Sequence, residues 1–381
     1  MTTGASSTPA AGDGARIAEL DGLRGAAALA IVIWHYVPSI AVAAPGTSLA
    51  YFNRAASLTW AGVDLFFVLS GYLIGSILLR AADSPRYFRT FYGRRAARIV
   101  PLYAVMLAGL ALGNLAGLGA PEAAARPVFE NNLPWWSYFA FAQNFFMVPA
   151  DDFGPKFIHV TWSLAIEEQF YLLLPLLFRA VRGSFLAWIL AGLALMAPVL
   201  RAFVPAGMAT YVLLPFRMDS LMAGALLALL WSVPGWRARI SAGPGLAIAW
   251  WVLALPVPVV LRSGAGLHAL GGSFGWLVQT WLAIWFAVTL AALLAGKSWL
   301  GPIFRLSPLP QLGRVAYGVY LLHLPVLWVT HLGLLGAEPV LSDSKTLAVT
   351  LLAGAVSILL ALVAYRWIEA PFLAWGKRLR Y

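Results

Sequence analysis

The feature that most constrains this chain is a succession of apolar stretches about twenty residues long, beginning near residue 25 and recurring to residue 370. A helix of that length is about 30 Å long, the thickness of a bilayer's hydrocarbon core. In lipid every backbone N–H and C=O must be satisfied within the protein, so a spanning segment is a helix or part of a closed barrel. Barrel strands are shorter and alternate in polarity, which these runs do not. The chain is 61% hydrophobic and 11% charged, with a mean hydropathy of +0.81, too apolar for a water-facing surface. Its 17 Trp residues suit helix ends at the lipid–water boundary. The expected fold is therefore an all-α polytopic membrane protein of ten transmembrane helices enclosing a polar intramembrane site. The spans are read at 25–43, 59–79, 99–118, 162–181, 184–203, 208–232, 244–262, 274–296, 311–335 and 345–370.

Basic residues orient these spans, because Lys and Arg collect in cytoplasmic loops. With both termini cytoplasmic, 18 of the 26 basic residues lie inside, among them Arg80, Arg86, Arg89, Arg94, Arg95 and Arg98 in one loop. Only Arg54, Arg126, Lys156, Arg201, Arg262 and Lys345 fall outside. The net charge of +11 is thus a topology signal and a contact with anionic lipid headgroups, and no nucleic-acid partner is expected. The apolar stretch 135–149 is short for a crossing, and counting it would place Arg179 and Arg182 outside, so it is read as re-entrant or interfacial. The segment from 119 to 161 is then the largest external piece. Residues 41–44 resemble a signal-peptide cleavage site, but the long, partly acidic leader and the length of the first apolar run argue against cleavage. Residues 1–381 are expected to form one transmembrane domain with a disordered cytoplasmic leader at 1–15, no appended soluble domain and no internal repeat. With no Cys, the protein offers no thiolate nucleophile and no disulfide.

Polar groups inside the spans are where function is expected, since each is costly in lipid unless something uses it. His35 lies ten residues beyond a Leu23-Arg24-Gly25 start, within a run otherwise made of Ala, Ile, Val, Leu and aromatic residues. By helical rise Arg24 is about 16 Å nearer the cytoplasm than His35, so one helix addresses both faces. Asp64 and Ser70 lie in Gly62-Val63-Asp64-Leu65-Phe66-Phe67-Val68-Leu69-Ser70-Gly71-Tyr72. Asp64 alone would also fit a helix cap, and Ser70-Gly71 a close helix contact. The Arg94-Arg95-Ala96-Ala97-Arg98 cluster offers guanidinium forks of the kind that hold phosphates. Thr161-Trp162-Ser163-Leu164-Ala165-Ile166-Glu167-Glu168-Gln169-Phe170-Tyr171 places two adjacent carboxylates in an apolar helix, and at least one must face a polar interior. Measured from the outer ends of their spans, Glu167 is about 8 Å and His35 about 12 Å deep, depths compatible with contact.

Taken in order, Arg24 with His35, the Gly-Val-Asp-Leu-Phe-Phe-Val-Leu-Ser-Gly-Tyr run, Arg95-x-x-Arg98-Ile99-x-Pro101 and Trp162-Ser163-Leu164-x-x-Glu167-x-x-Phe170-Tyr171 resemble the membrane-bound acyltransferase family 3 of bacteria. Tyr317-Gly318-Val319-Tyr320-Leu321-Leu322-His323-Leu324-Pro325 and Glu369-Ala370-Pro371 extend the resemblance over nearly the whole chain. It implies an O-acyltransferase of the bacterial inner membrane, using cytoplasmic acyl-CoA, chiefly acetyl-CoA, to acylate a hydroxyl of a cell-envelope glycan, exopolysaccharide or glycosylated metabolite. Many relatives that modify polysaccharides carry a further C-terminal hydrolase-like domain.

Such a transfer needs a base for the hydroxyl, a donor site and help for the oxyanion. His35 is expected as the base or as a covalent acyl carrier, with Glu167 orienting its ring or stabilising the imidazolium. By the same resemblance Arg24, Arg95 and Arg98 hold the donor's phosphates, and Asp64, Ser70, Trp162, Ser163, Tyr171, Tyr317 and His323 line the substrate path. His159 and His268 are read as solvent-facing, and Asp219, near Arg217, as part of either a polar pocket or a helix–helix pair. No His or carboxylate spacing matches a metal site, so none is expected. The competing reading is a transporter or flippase that uses the same buried charges as gates.

Overall fold

The computed structural model describes residues 18–120, 122–263, 275–296 and 298–381. Apart from a single β-bridge between Ala41 and Leu341, every regular element in them is helical. The principal helices are α1 (Ala18–Tyr36), α2 (Gly62–Ala81), α3 (Tyr87–Leu115), α4 (Thr161–Ala180), α5 (Gly183–Phe203), α6 (Met218–Ser232), α7 (Gly245–Ala254), α8 (Val278–Leu294), α9 (Pro308–Arg314), α10 (Ala316–Leu335) and α11 (Ser344–Ala364).

Among the described residues six helical stretches are long and apolar enough to cross a membrane, or seven if the pair Met218–Ser232 and Pro234–Ser241, bent by 107°, counts as one. This is fewer than the ten spans read from sequence, and each shortfall has a local cause. α1 carries Glu19, Asp21 and Arg24 within 19 residues, and α4 carries Glu167, Glu168 and Arg179 within 20. The segment 208–232 is broken by Pro215 into Met208–Val212, a 3-10 turn at Leu214–Phe216, and α6. α7 stops at Ala254, just before Pro256. The stretch 135–149 is likewise two short helices, Trp135–Phe139 and Gln143–Ala150, with left-handed Phe141 between them. Neither is long enough to cross. Buried Gln143 and Asn144 tie this pair to the membrane helices, donating to the Thr161 and Val212 carbonyls at 3.0 Å each. The leader at 1–15, His268 and Lys297 lie outside the described residues.

Close crossings hold the centre together. Where α2 meets α6, a Cβ on Gly71 would stand 2.0 Å from the Leu221 carbonyl oxygen, and one on Gly224 would stand 2.0 Å from that of Val68. Only glycine permits that approach, the small-residue contact by which helices associate in lipid. Two buried ion pairs fasten the same region. Arg217 donates to Asp64 at 2.8 Å, and Arg201 to Asp219 at 2.6 Å, with all four side chains at most 3% exposed.

Candidate active site

α1, α2, α4 and α10 surround two cavities, one of about 310 Å³ and one of about 650 Å³. The smaller takes Arg24 from α1, residues between Val63 and Ile77 from α2, including Ser70, Arg95 and Arg98 from α3, residues between Ser163 and Tyr171 from α4, and Ala316, Tyr317 and Tyr320 from α10. The larger takes Ile31, Trp34 and His35 from α1, Trp60 and Val63 around the start of α2, Val160 and Trp162 around the start of α4, and Tyr320 from α10, and is closed by the 151–159 segment, Arg201 of α5, residues 204–211 and the 275–279 stretch that opens α8. Along each helix the two sets follow one another without interleaving beyond the shared Val63 and Tyr320. α1 and α10 run from the small chamber toward the large one, while α2 and α4 run back. The chambers are therefore stacked along the helix axes.

The arginine chamber gathers residues that the sequence singled out on five separate segments. Arg24 lies 3.3 Å from Asp21 of its own helix. Arg95 and Arg98 are half-buried, and among the described residues neither has a carboxylate within ion-pair distance. Three cations converge on a cavity whose one lining carboxylate among the described residues is Glu167, an excess of positive charge that suits a polyanionic ligand. Opposite them Tyr171 donates to Glu167 at 3.1 Å and is 2.6 Å from the Ser70 hydroxyl, and Tyr317 donates to the Ile99 carbonyl at 2.8 Å.

His35 belongs to the other chamber, in the last turn of α1. The sequence placed the first span at 25–43, but the helix begins at Ala18 and ends at Tyr36, two residues before Pro38, which has no N–H to continue it. That shift carries His35 to the end of its helix, whereas Glu167 lies nearly two turns into α4 and faces the arginines. The expected His35–Glu167 pair is not formed. The His35 ring instead meets His323, whose Nε2 lies 3.1 Å from His35 Nδ1.

For neutral rings, one assignment of tautomers satisfies these contacts. His323 Nδ1 is 3.0 Å from the Val319 carbonyl, which can only accept, so Nδ1 carries the proton and Nε2 is an acceptor. His35 Nδ1 is 3.0 Å from the Ile31 carbonyl and faces that acceptor, so it too is the protonated nitrogen. The lone pair of His35 Nε2 is left available. Behind them Tyr36 donates to the His323 carbonyl at 2.8 Å and lies 2.9 Å from the Ser357 hydroxyl, fixing the dyad from α11.

Other residues are relocated as well. Asp64 touches neither cavity: fully buried, it accepts from Arg217 and from Ser220 at 3.0 Å, because a carboxylate at that depth needs a cation more than water can supply. His323 supports His35 and lines neither cavity. Trp162 lines the His35 chamber while Ser163, one residue on, lines the arginine chamber. Asp219 is a helix–helix partner of Arg201, with Thr280 donating to it at 2.7 Å. His159 does not face open solvent; its ring packs 4.6 Å from Phe153 on the wall of the His35 chamber. Tyr320 lines both chambers, and although it lies within the Tyr317–Pro325 motif, its position between them leaves no mark in the sequence. Among the described residues no group of three His, Asp or Glu converges as metal ligands.

The profile of a family described as an acyltransferase domain matches residues 17–366. The chain is 28% identical over 400 residues to the peptidoglycan O-acetyltransferase of Listeria monocytogenes, covering 93% of this chain and 55% of that protein. It is 29% identical over 388 residues to a Bacillus subtilis protein provisionally named a peptidoglycan O-acetyltransferase, covering 94% and 55%. A Staphylococcus aureus protein provisionally named an O-acetyltransferase is 26% identical over 382 residues, covering 93% and 56%. The chain thus spans just over half the length of these curated relatives. No solved structure matches it.

Proposed function

The chain belongs to the acyltransferase-domain family, and from that premise we propose that it is a multi-pass membrane enzyme of the O-acetyltransferase type that moves an acetyl group from acetyl-CoA to a hydroxyl of a cell-envelope glycan. The observation that carries this reading is the convergence of Arg24, Arg95 and Arg98 on one chamber while His35, with Nε2 free, lines the next. The arginines would hold the phosphates of the nucleotide-bearing donor. The thioester would then point toward the stacked chamber, where the acceptor hydroxyl waits beside His35.

His35 Nε2 would take the hydroxyl proton as the oxygen attacks the thioester carbon. The C–S bond breaks as the C–O bond forms, and the imidazolium returns its proton to the departing thiolate. His323, accepting from His35 Nδ1–H, would hold the ring in the tautomer that makes Nε2 the base, the part carboxylates play in hydrolytic triads. The Tyr171, Ser70 and Glu167 cluster would order the arginine chamber and is not assigned to the base.

The sidedness of the donor supports a cytoplasmic face for the arginine chamber and an inner-membrane location. Both termini would then be cytoplasmic. Arg201, counted from sequence among the external bases, is in a buried ion pair. Removing it leaves fewer cations outside and strengthens the charge bias. The glycan acceptor takes its support from the relatives' printed names.

A test is turnover in detergent. Purified protein given acetyl-CoA and a soluble glycan fragment should release free CoA and acetylated glycan with no membrane potential present. Movement of glycan across proteoliposomes that depends on a gradient and leaves acetyl-CoA intact would overturn the proposal in favour of a transporter.

A further inference from the structure

The two chambers approach each other at one level of the fold. Val63 on α2 and Tyr320 on α10 line both, Ser163 on α4 lines the arginine side, and Trp162 beside it lines the other. The Tyr320 hydroxyl donates to the Val160 carbonyl at 2.8 Å and is hydrogen-bonded to the Ser163 hydroxyl, so its ring is pinned across the gap between α10 and the start of α4. Its neighbour one turn on is His323, at 6.0 Å between ring centroids. A donor phosphate group on the arginines and a base at His35 would therefore lie on opposite sides of the level that Tyr320 and Val63 share, where Tyr320 is the side chain held by hydrogen bonds.

We propose that Tyr320 is a movable partition between the two chambers, closed by its hydrogen bonds to Ser163 and Val160 and displaced when the acyl-bearing arm of the donor passes from the arginine side toward His35. What passes the partition rests on the acyl-transfer reading; that the partition exists does not. Two neutral hydroxyl contacts suit this role. They hold a ring in place in a low-dielectric interior, yet breaking them leaves no unpaired charge behind. A closed partition also keeps water in the His35 chamber away from a bound thioester until an arm displaces it, so Tyr320 acts as a positioning residue for the reaction.

The absence of Cys from the chain makes the partition directly testable. Leu73 lines the arginine chamber and Thr210 the His35 chamber. A single thiol introduced by Leu73→Cys is labelled with a membrane-impermeant maleimide in vesicles of both orientations, and Thr210→Cys serves as the opposite-face control. With Tyr320 intact, the Leu73→Cys thiol should react only from the arginine face. Adding Tyr320→Ala should open it to the His35 face, and Tyr320→Phe or Ser163→Ala, which keep the bulk and remove hydrogen bonds, should raise labelling from that face about tenfold. These milder variants keep the test decisive if the alanine variant fails to fold. Equal labelling from both faces with Tyr320 intact would overturn the proposal, as would labelling from one face only in every variant. Where labelling follows Tyr320 but the wild-type protein never consumes acetyl-CoA, the partition stands and the acyl-transfer reading falls.

Discussion

His35 was legible in the sequence because a titratable ring within an apolar run is conspicuous on energetic grounds alone. Arg24, Arg95 and Arg98 were legible as guanidinium forks suited to phosphates, within motifs that carry the family resemblance, and the fold brings all three to one cavity. Its partner was not legible. Glu167 matched His35 only in depths measured from span ends, and those ends were wrong by a full helical turn or more at both ends of α1. The actual partner, His323, lies 288 residues away, and no local pattern announces a contact of that range. Tyr320 is harder still, since a tyrosine in an apolar helix reads equally as core or as membrane interface. At this scale His323→Ala should lower kcat about tenfold or more while leaving the KM for acetyl-CoA unchanged, because it alters the base and not the donor site. A changed donor KM with normal kcat would place His323 elsewhere in the mechanism. Arg98→Ala should do the converse. Loss of one charge-assisted phosphate contact is worth about 1.5–3 kcal/mol, so donor KM should rise about 10- to 100-fold in steady-state assays.

Among the elements, those that carry the polar groups are those whose hydropathy fell short. α1 and α4 are too charged to pass as simple spans, and 208–232 is broken where Arg217 and Asp219 enter the ion pairs. The class of fold was therefore plain from the apolar helices, while the span count suffered where function and ion pairing interrupt them. Asp64 illustrates the same ambiguity. The sequence shows an acidic group at a helix start, and only the fold shows that Arg217, 153 residues away, neutralises it. Asp64→Ala should strand a buried guanidinium and cost about 3–5 kcal/mol in detergent unfolding, whereas Asp64→Leu combined with Arg217→Met should recover most of it. A double variant no more stable than the single one would show that the pair does more than neutralise itself. Gly71→Ala sets a methyl group against the Leu221 carbonyl and should cost about 1–3 kcal/mol by the same measurement.

At the scale of the whole molecule, the described residues stack two chambers along antiparallel helices, an arrangement that under the proposed function would receive a donor at one face and an acceptor at the other. The order of residues along α1, α2, α4 and α10 supports this without reference to any membrane boundary. The charge bias then predicts which face is which. A thiol introduced by Ala124→Cys, an exposed position in the loop after α3, should be labelled only from outside intact cells, and labelling only after permeabilisation would invert the assignment. The central claim is that His35 is the group through which an acyl transfer proceeds, and mass spectrometry of envelope glycans from cells expressing wild-type and His35→Ala protein at equal levels tests it most directly. Acetylated glycan should be present with the wild type and reduced about 10²–10⁴-fold in the variant; equal acetylation in both would contradict the account.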